Sequence, residues 1–352
     1  MTEENMNTEN LSDAEIVTAR DMARAASMQP KNSPLVTHMY TADPSAHVFN
    51  DKIYIYPSHD IETDMPMNDD GDHFAMRDYH VFSLDRPFGK VNDHGCALDI
   101  DDVKWAGKQM WAPDAAEKDG KYYLYFPARK HNGIFAIGVA VGDSPEGPFV
   151  AEKTEIIGSY SIDPAVLQDD DGEYYIYFGG LWGGQLQQWN SSNEHTGDIY
   201  PANDQPAIPP RVAKLKDNMV ELAENVREIE IFDENGELLK AGDLERRYFE
   251  GPWVHKVNEK YYFSYSTGET HNICYAIGDS PYGPFTYQGK ILTPVLGWTS
   301  HHSIAEYKGK WYLFYHDCQL SGGETHLRNV KMAELKTNED GTIQMVSPYF
   351  NG

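Results

Sequence analysis

One apolar and aromatic pattern occurs five times along the chain. Each copy begins at a charged residue and continues through four or five mostly aromatic or branched residues, which is the composition of a buried strand. The copies lie at residues 52–56, 121–126, 173–178, 260–265 and 310–315. In the first, third and fifth copies a second apolar run and a polar turn come before the aromatic segment, which predicts a hairpin. Five similar hairpins predict five similar sheets.

The spacing of the copies predicts the architecture. Roughly 50 to 90 residues separate them, enough for a four-stranded blade, and radial repetition of such blades makes a β-propeller. We therefore predict an all-β fold in which residues 31–352 form a single-domain five-bladed β-propeller. The irregular region from Gly183 to Gly242 is expected to complete the third blade and begin the fourth. Residues 1–30 are expected to be a tail, in which a capping-box pattern at 12–15 starts a short helix ending before Pro30.

Each repeat also carries a chemically distinctive residue nine or ten positions before its aromatic strand. These residues are three carboxylates, one indole and one imidazole, namely Asp43, Asp163, Glu250, Trp111 and His301. Equivalent positions in a propeller converge on one axis. A lone Asp-Pro pair would ordinarily be a strand cap, but three aligned acids favour catalysis. The sequence therefore predicts an active site at one end of the central channel.

The composition limits the partners of this site. With 55 acidic and 29 basic residues the formal charge is −26, which disfavours binding to nucleic acid or to an anionic membrane. The acidic beginning and the lack of a long apolar run predict a cytoplasmic protein. Cys96, Cys274 and Cys318 lack metal-binding spacing and are expected to be reduced core thiols. A neutral ligand is compatible with the charge, and the sequence leaves a homo-oligomer open.

Five short motifs resemble those of glycoside hydrolase family 43, in the family's order. They lie at residues 41–45, 111–114, 161–164, 249–252 and 300–303. Any one of them alone is weak, but five in register are specific. The resemblance covers about residues 31–352. It implies a five-bladed propeller with the activity of inverting enzymes that hydrolyse xylose- and arabinose-containing glycosides.

The resemblance implies a role for each carboxylate. Asp43 matches the general base and Glu250 the general acid, while Asp163 matches the residue that orients Glu250 and keeps its pKa raised. The chemistry agrees, because inverting hydrolysis needs an acid for the leaving oxygen and a base for the attacking water. Two such carboxyl groups stand about 6.5–9.5 Å apart, a gap that opposed blades can supply.

Two further residues are assigned to substrate binding by the resemblance. Trp111 would offer a flat apolar face to a sugar ring, and Arg328 matches an arginine that donates hydrogen bonds to sugar hydroxyls. A core tryptophan and a surface arginine are the structural alternatives.

A divalent cation, Ca²⁺ or Mg²⁺, is expected in the channel, because several carboxylates there create a negative potential. His301 matches a channel histidine that contacts a cation in some family members, and His302 is its rival if the register slips by one residue. The acidic run at residues 68–73 lacks an EF-hand pattern. It is interpreted as a solvated loop, with a position at the pocket mouth as the alternative. No motif indicates an organic cofactor.

The expected substrate is a small oligosaccharide. The sequence favours an exo-acting β-xylosidase that releases xylose from short xylo-oligosaccharides, with α-L-arabinofuranosidase activity as a second or rival specificity. The loop from Ser58 to His80 is long enough to close one end of the channel, as exo action requires. An endo-arabinanase and a non-catalytic carbohydrate-binding propeller are the alternatives, and the presence of all three acids disfavours the latter.

Overall fold

The computed structural model describes residues 13–25 and 27–350. Blade 1 contains β1 (Tyr40–Phe49), β2 (Lys52–Asp60), β3 (Asp78–Leu84) and β4 (Val91–Asp99). Blade 2 contains β5 (Ala106–Lys108), β6 (Asp114–Lys118), β7 (Lys121–Lys130), β8 (Phe135–Gly142) and β9 (Val150–Ala151). Blade 3 contains β10 (Ala165–Gln168), β11 (Tyr174–Phe178), β12 (Arg211–Lys214) and β13 (Arg227–Glu228).

The remaining two blades complete the propeller. Blade 4 contains β14 (Ile231–Phe232), β15 (Glu250–Val257), β16 (Lys260–Ser266), β17 (Ile273–Gly278) and β18 (Phe285–Leu292). Blade 5 contains β19 (His302–Tyr307), β20 (Lys310–Asp317) and β21 (Asn329–Leu335). Short 3₁₀ turns lie at Ile100–Asp102, Trp182–Gly184 and Leu186–Gln188. One α-helix of the described chain, α1 (Asp13–Ala25), precedes all the strands.

The inner strands close a ring around the channel. Strand β1 contacts β6 and β19, β10 contacts β6 and β15, and β15 contacts β19. Each inner strand is followed by one of the five aromatic segments, which pairs with it in antiparallel register. The predicted all-β, five-bladed propeller is confirmed.

Tyrosines of the aromatic strands also join neighbouring blades. The fifth residue of this segment is Tyr56 in blade 1 and Tyr177 in blade 3, and both are fully buried. Their hydroxyls donate to the carbonyls of Pro145 at 2.7 Å and Pro281 at 2.8 Å, each in the next blade. Both prolines belong to the Gly-Asp-Ser-Pro turn that occurs twice in the sequence. The repeated turn therefore supplies a hydrogen-bond acceptor to the preceding blade.

The irregular region after the third aromatic strand behaves as predicted. Strands β12 and β13 complete blade 3, while β14 pairs in parallel with β18 and opens blade 4. The expectation for the cysteines is correct in part, since all three are free, with Cys274 and Cys318 buried. Cys96 is exposed on β4, so its assignment to the core is wrong.

Helix α1 packs on the loop that leads into β19. Ser12, the expected helix cap, lies outside the described residues, and the helix ends before Pro30 as predicted. The carboxyl group of Asp21 is fully buried and accepts a hydrogen bond from the backbone N–H of Gly297. In the described segments, no helix is long and apolar enough to cross a membrane. The division of the chain at residue 30 stays a prediction.

Candidate active site

Strand pairing shows that the five aligned residues occupy two neighbouring positions of the inner strands. Asp43, Asp163 and His301 each lie two residues before the inner-strand residue that pairs with the fifth residue of the aromatic segment. Trp111 and Glu250 lie three residues before it. The common position expected from the sequence is therefore wrong for Trp111 and Glu250. The hairpin turn of blade 3 is one residue longer than the others. Because of this extra residue, counting back from the aromatic strand did not separate the two inner-strand positions.

The backbone is irregular at and beside the residues of the inner strands that carry the carboxyl groups. The register shifts beside Asp43 in β1 and beside Glu250 in β15, as in a β-bulge. Asp43 has a φ of 46° and Asp163 a φ of 58°, left-handed values that non-glycine residues seldom adopt. Gly251, with a φ of 63°, holds the equivalent position of blade 4. Such strain costs about 1–3 kcal/mol per residue and clusters at functional sites.

The side chain of Asp43 is held as a carboxylate. Its Oδ1 accepts from Nη1 of Arg328 at 2.9 Å, and its Oδ2 accepts from Oγ of Ser58 at 2.7 Å. The backbone N–H of Asp43 donates to Nδ1 of His316 at 2.9 Å, and burial lowers the pKa of His316 to about 3, so this imidazole is neutral. Burial alone would raise the pKa of Asp43, but the charge of Arg328, the two neighbouring histidines and the hydrogen bond from Ser58 together outweigh burial, and the pKa is lowered. Asp43 therefore carries a negative charge at neutral pH.

Arg328 neutralises two buried carboxylates. Its Nε and Nη2 donate to Asp60 at 2.8 and 2.7 Å, and its Nη1 donates to Asp43 and to Oγ1 of Thr299. Its guanidinium lies 4.8 Å from the ring centroid of Phe74. Burial would lower the pKa of Arg328, yet Asp43 and Asp60 raise it. The arginine lies in the pocket as predicted, but most of its N–H groups have protein partners, so its bonds to sugar hydroxyls stay a prediction.

Glu250 has the opposite surroundings. Its carboxyl group has no hydrogen-bond partner among the described residues, and burial together with the charge of Asp43 raises its pKa to about 8. The neighbouring Asp163 accepts a hydrogen bond from the Gly251 N–H at 3.0 Å. Burial and repulsion from Glu250 raise the pKa of Asp163 well above its ordinary value. These two carboxyl groups therefore retain a proton at neutral pH.

Two groups of aromatic side chains line the same pocket. Trp111 packs edge to face with Phe74, with ring centroids 6.3 Å apart, and donates its indole N–H to the Phe74 carbonyl at 2.8 Å. The ring centroids of Trp182 and Trp298 are 5.2 Å apart, and that of Phe249 lies 5.6 Å from Trp298. Trp111 is 8% exposed, so it both packs in the fold and borders the pocket. Such faces suit the apolar side of a sugar ring.

The connection between β2 and β3 forms part of the pocket wall. The described pocket lining includes Asn68, Asp69, Gly71, His73 and Phe74 from this connection. The alternative that placed the acidic run at the pocket is correct, while Asp69 and Asp70 of this run are exposed, as expected for a solvated loop. Hydrogen bonds fix the segment, because Asn68 bonds to Asp72 and the side chain of Gln109 donates to the Gly71 carbonyl at 3.0 Å. The connection is shorter than the predicted Ser58–His80 loop, since both ends continue as strands.

His301, rather than its rival His302, borders the pocket. His302 is fully buried, and its Nε2 is 2.6 Å from Oγ of Ser264. Both ring nitrogens of His301 are shielded from solvent and have no hydrogen-bond partner in the described part of the chain. Burial lowers the pKa of His301, so its imidazole is neutral and offers a lone pair. An unpartnered imidazole near the carboxylate of Asp43 fits a divalent cation or one of its water ligands.

Some residues that line the pocket or hold its side chains were not predicted from the sequence. Asp60 and Ser58 fix Arg328 and Asp43, and both lie at the end of an aromatic strand, where polar residues after an apolar run were a usable signal. Trp182 and Trp298 lie in irregular connections, where no repeat indicates the direction of a side chain.

Comparison with known proteins agrees with this geometry. Residues 32–343 match the family model for Glycosyl hydrolases family 43. Xylosidase/arabinosidase 43A of Humicola insolens is 61% identical over 90% of this chain and 99% of its own length, and a xylosidase/arabinosidase of Bacteroides ovatus is 57% identical over 90% and 98%. A crystal structure of a β-xylosidase/α-arabinofuranosidase from a compost microbial metagenome, in complex with xylotriose and in calcium-free form, is 62% identical with a TM-score of 0.89. It covers 92% of this chain and 99% of that chain.

Proposed function

The chain belongs to Glycosyl hydrolases family 43, and from that premise we propose that it is an inverting, exo-acting β-xylosidase. It releases xylose from short xylo-oligosaccharides, and α-L-arabinofuranosidase activity is its second activity. The main support is that one pocket contains an ionised carboxylate at Asp43 and a protonated carboxyl group at Glu250. The xylosidase/arabinosidase relatives support the substrate class.

Asp43 acts as the general base in this proposal. Its carboxylate accepts a proton from a water molecule while that water attacks the anomeric carbon. Arg328 keeps Asp43 ionised, and the hydrogen bond from Ser58 fixes the orientation of the carboxylate. Because the water attacks the face opposite to the leaving sugar, the anomeric configuration is inverted.

Glu250 acts as the general acid. It donates its proton to the glycosidic oxygen as the bond to the anomeric carbon breaks, so the leaving sugar departs as a neutral alcohol. A pKa of about 8 keeps this proton on Glu250 at neutral pH. Asp163 is a positioning residue, because it accepts a hydrogen bond from the backbone N–H of Gly251, next to the acid.

A divalent cation, Ca²⁺ or Mg²⁺, is proposed as a partner of His301, directly or through water. When bound, it supplies positive charge that offsets the carboxylates of the channel. The support is the pair of unpartnered ring nitrogens on His301. The test is exhaustive chelation followed by addition of Ca²⁺ or Mg²⁺, and an unchanged rate would make His301 a structural residue.

Exo action requires a pocket that is closed behind one terminal sugar. The connection after β2 contributes part of the wall and is fixed by its own hydrogen bonds. The aromatic groups around Trp111 and Trp298 add further walls. An endo-arabinanase would need an open groove. A non-catalytic binding propeller would not require two carboxyl groups with opposite protonation states. The cytoplasmic location stays a prediction.

The experiment is hydrolysis of xylobiose, xylotriose and longer xylo-oligosaccharides, with product length followed by chromatography and product anomers by NMR. The proposal expects xylose as the early product, because each cleavage releases one xylose and shortens the oligosaccharide by one unit. The α-anomer should form first from the β-linked substrate. Early xylobiose or xylotriose from internal bonds would contradict exo action. Initial formation of the β-anomer would contradict inversion. Parallel assays on aryl xylosides and aryl arabinofuranosides rank the two activities.

A further inference from the structure

A cluster of metal-binding side chains lies on blade 1, apart from the pocket. Ser58 pairs with Tyr79 between β2 and β3, so His59 and Asp78 form the adjacent pair. His80 pairs with Cys96 between β3 and β4. Because paired residues and residues two apart share a face of a sheet, His59, Asp78, His80 and Cys96 share one face of this blade.

The distances within the cluster are close to those of a metal site. Nδ1 of His59 is 2.8 Å from Oδ1 of Asp78, and Nε2 of His80 is 3.3 Å from Oδ2 of Asp78. One ligand atom from each of these three residues lies within 4.8 Å of the others. Four ligands at tetrahedral zinc distances are roughly 3.3 Å from one another. Small side-chain movements would therefore place all three donors on one ion.

Cys96 is the candidate for a fourth ligand. Strand pairing places it opposite His80, but its sulfur is not among the ligand atoms that lie within 4.8 Å of one another, so its side chain would have to rotate towards the ion. The residue is exposed, so an ion can reach the site from solvent. Two imidazoles, one carboxylate and one thiolate suit Zn²⁺ and the other late first-row divalent metals, whereas Ca²⁺ and Mg²⁺ prefer oxygen ligands alone.

The surroundings of the second nitrogen of His80 favour a proton on Nδ1, which a metal bound at Nε2 would explain. Nδ1 of His80 is shielded from solvent without a hydrogen-bond partner, and Oδ1 of Asp93 stands 3.6 Å away. In a neutral imidazole that donates from Nε2 to Asp78, Nδ1 would present a lone pair to the Asp93 carboxylate. If Nε2 binds a metal instead, Nδ1 carries the proton and points at Asp93, the usual arrangement behind a metal-binding histidine. A doubly protonated His80 is the rival explanation.

We propose that His59, Asp78, His80 and Cys96 bind one late first-row divalent cation, with Zn²⁺ as the best fit, and that Asp93 orients His80. The bound ion links β2, β3 and β4 through their side chains. His59 is followed by Asp60, whose carboxylate holds Arg328. The site thus adds a cross-link to the strand that supports the pocket, and it rests on none of the catalytic assignments.

The test uses Co²⁺ as a spectroscopic probe of the full-length protein, reduced, chelator-treated and free of any histidine tag. One equivalent should bind with the intense visible absorption of four-coordinate Co²⁺, and Zn²⁺ should displace it. His59→Ala and His80→Ala should each weaken binding at least about tenfold, and Asp93→Asn by about tenfold. Cys96→Ser should remove the thiolate-to-cobalt charge-transfer band, and an unchanged band would exclude Cys96 as a ligand.

Two controls separate this site from other histidines. His131→Ala removes an exposed imidazole in blade 2 and should leave the titration unchanged. His301→Ala removes the channel imidazole and should also retain the four-coordinate spectrum. Circular dichroism at each substitution checks that the fold is preserved. Binding that is weak or not four-coordinate, or that persists in a His59→Ala/His80→Ala variant, overturns the proposal.

A measurement on the unaltered protein tests the proposal even if the variants fail to fold. Histidine side-chain NMR of the unaltered protein should show the His59 and His80 resonances shifting at one equivalent of Zn²⁺, while the His131 resonance does not shift. If Zn²⁺ does not shift the His59 and His80 resonances and only a change of pH shifts that of His80, the cluster binds a proton rather than a metal ion. The proposal is then wrong.

Discussion

Asp43 and Glu250 both project into one pocket from bulged inner strands, but their neighbours differ in charge. Asp43 accepts hydrogen bonds from Arg328 and Ser58, and its pKa is lowered. Glu250 has no such donor in the described chain, lies beside Asp163, and its pKa is raised. Two carboxyl groups of the same fold motif thus hold opposite protonation states. The comparison teaches that the neighbours, rather than the strand motif, decide which of them is the acid.

The two sides of the pocket also depend on each other. The negative charge of Asp43 contributes to the raised pKa of Glu250, and the positive charge of Arg328 opposes that rise. A substitution on either side should therefore change the protonation of the other. The following predictions test this contrast, from the largest effect to the smallest.

Replacing either carboxyl group should have the largest effect. Asp43→Asn and Glu250→Gln are each expected to lower turnover of xylobiose by about 10²–10⁴-fold, the usual contribution of a positioned acid or base. On an aryl xyloside whose leaving group needs no protonation, Glu250→Gln should lose far less, whereas Asp43→Asn should lose as much as before. Steady-state kinetics on both substrates measure this split.

Glu306→Gln is the matched control for these two variants, because it removes an exposed carboxylate from β19 and should leave turnover unchanged. Unchanged thermal unfolding of all three variants would confirm that folding is intact. Near-normal turnover of xylobiose by either pocket variant would show that the carboxyl roles are assigned wrongly.

Removing the charge of Arg328 should have the next largest effect, on the ionisation of Asp43. In Arg328→Met the pKa of Asp43 loses its main lowering interaction, so the acid limb of the pH–rate profile should move up by about 1–3 pH units. The buried Asp60 also loses its partner, and stability should fall by about 3–5 kcal/mol. Arg328→Lys keeps a charge and should move the limb less. An acid limb that does not move in Arg328→Met would separate Arg328 from the ionisation of Asp43.

Replacing Asp163 should affect the acid side through position rather than charge. Because Asp163 is itself protonated at neutral pH, Asp163→Asn exchanges one neutral group for another and should leave the alkaline limb of the profile near pH 8. Asn can still accept from the Gly251 N–H, whereas Asp163→Ala leaves this N–H unpaired at a cost of about 1–3 kcal/mol. Asp163→Ala should therefore lower kcat more than Asp163→Asn does. An alkaline limb that moves down in Asp163→Asn would show that Asp163 is ionised beside Glu250.

The smallest effect is expected at the N-terminal helix. Asp21→Ala removes the acceptor of the Gly297 N–H, next to the pocket residue Trp298. A buried unpaired N–H costs about 1–3 kcal/mol, and the loop should relax, so KM should rise a few-fold with kcat nearly unchanged. Asp21→Asn retains an acceptor and should restore most of the affinity. Equal KM values for Asp21→Ala and the unaltered protein would contradict this contact.

The sequence predicted the fold and the location of the three carboxyl groups in one pocket for a physical reason. Aromatic strands bury their rings in every blade, so their pattern repeats. Counting back from this pattern locates Asp43, whose backbone is strained. The relative register of Glu250 was not predictable, because a single-residue change in turn length cannot be recognised without strand pairing. The role of Asp60 depends on a contact with Arg328, which is 268 residues away in the chain. Long-range contacts of this kind decide protonation, and a local pattern does not contain them.

The most direct measurement of the contrast is the pH dependence of kcat/KM on xylobiose, with the fold checked at every pH by circular dichroism. The free enzyme should give a bell-shaped profile. Its acid limb should lie below 3.8, the ordinary pKa of an aspartate, because the pKa of Asp43 is lowered. Its alkaline limb should lie near pH 8, because Glu250 keeps its proton to that point. Loss of activity by pH 6, as for a glutamate with an ordinary pKa, would contradict the proposed division between base and acid.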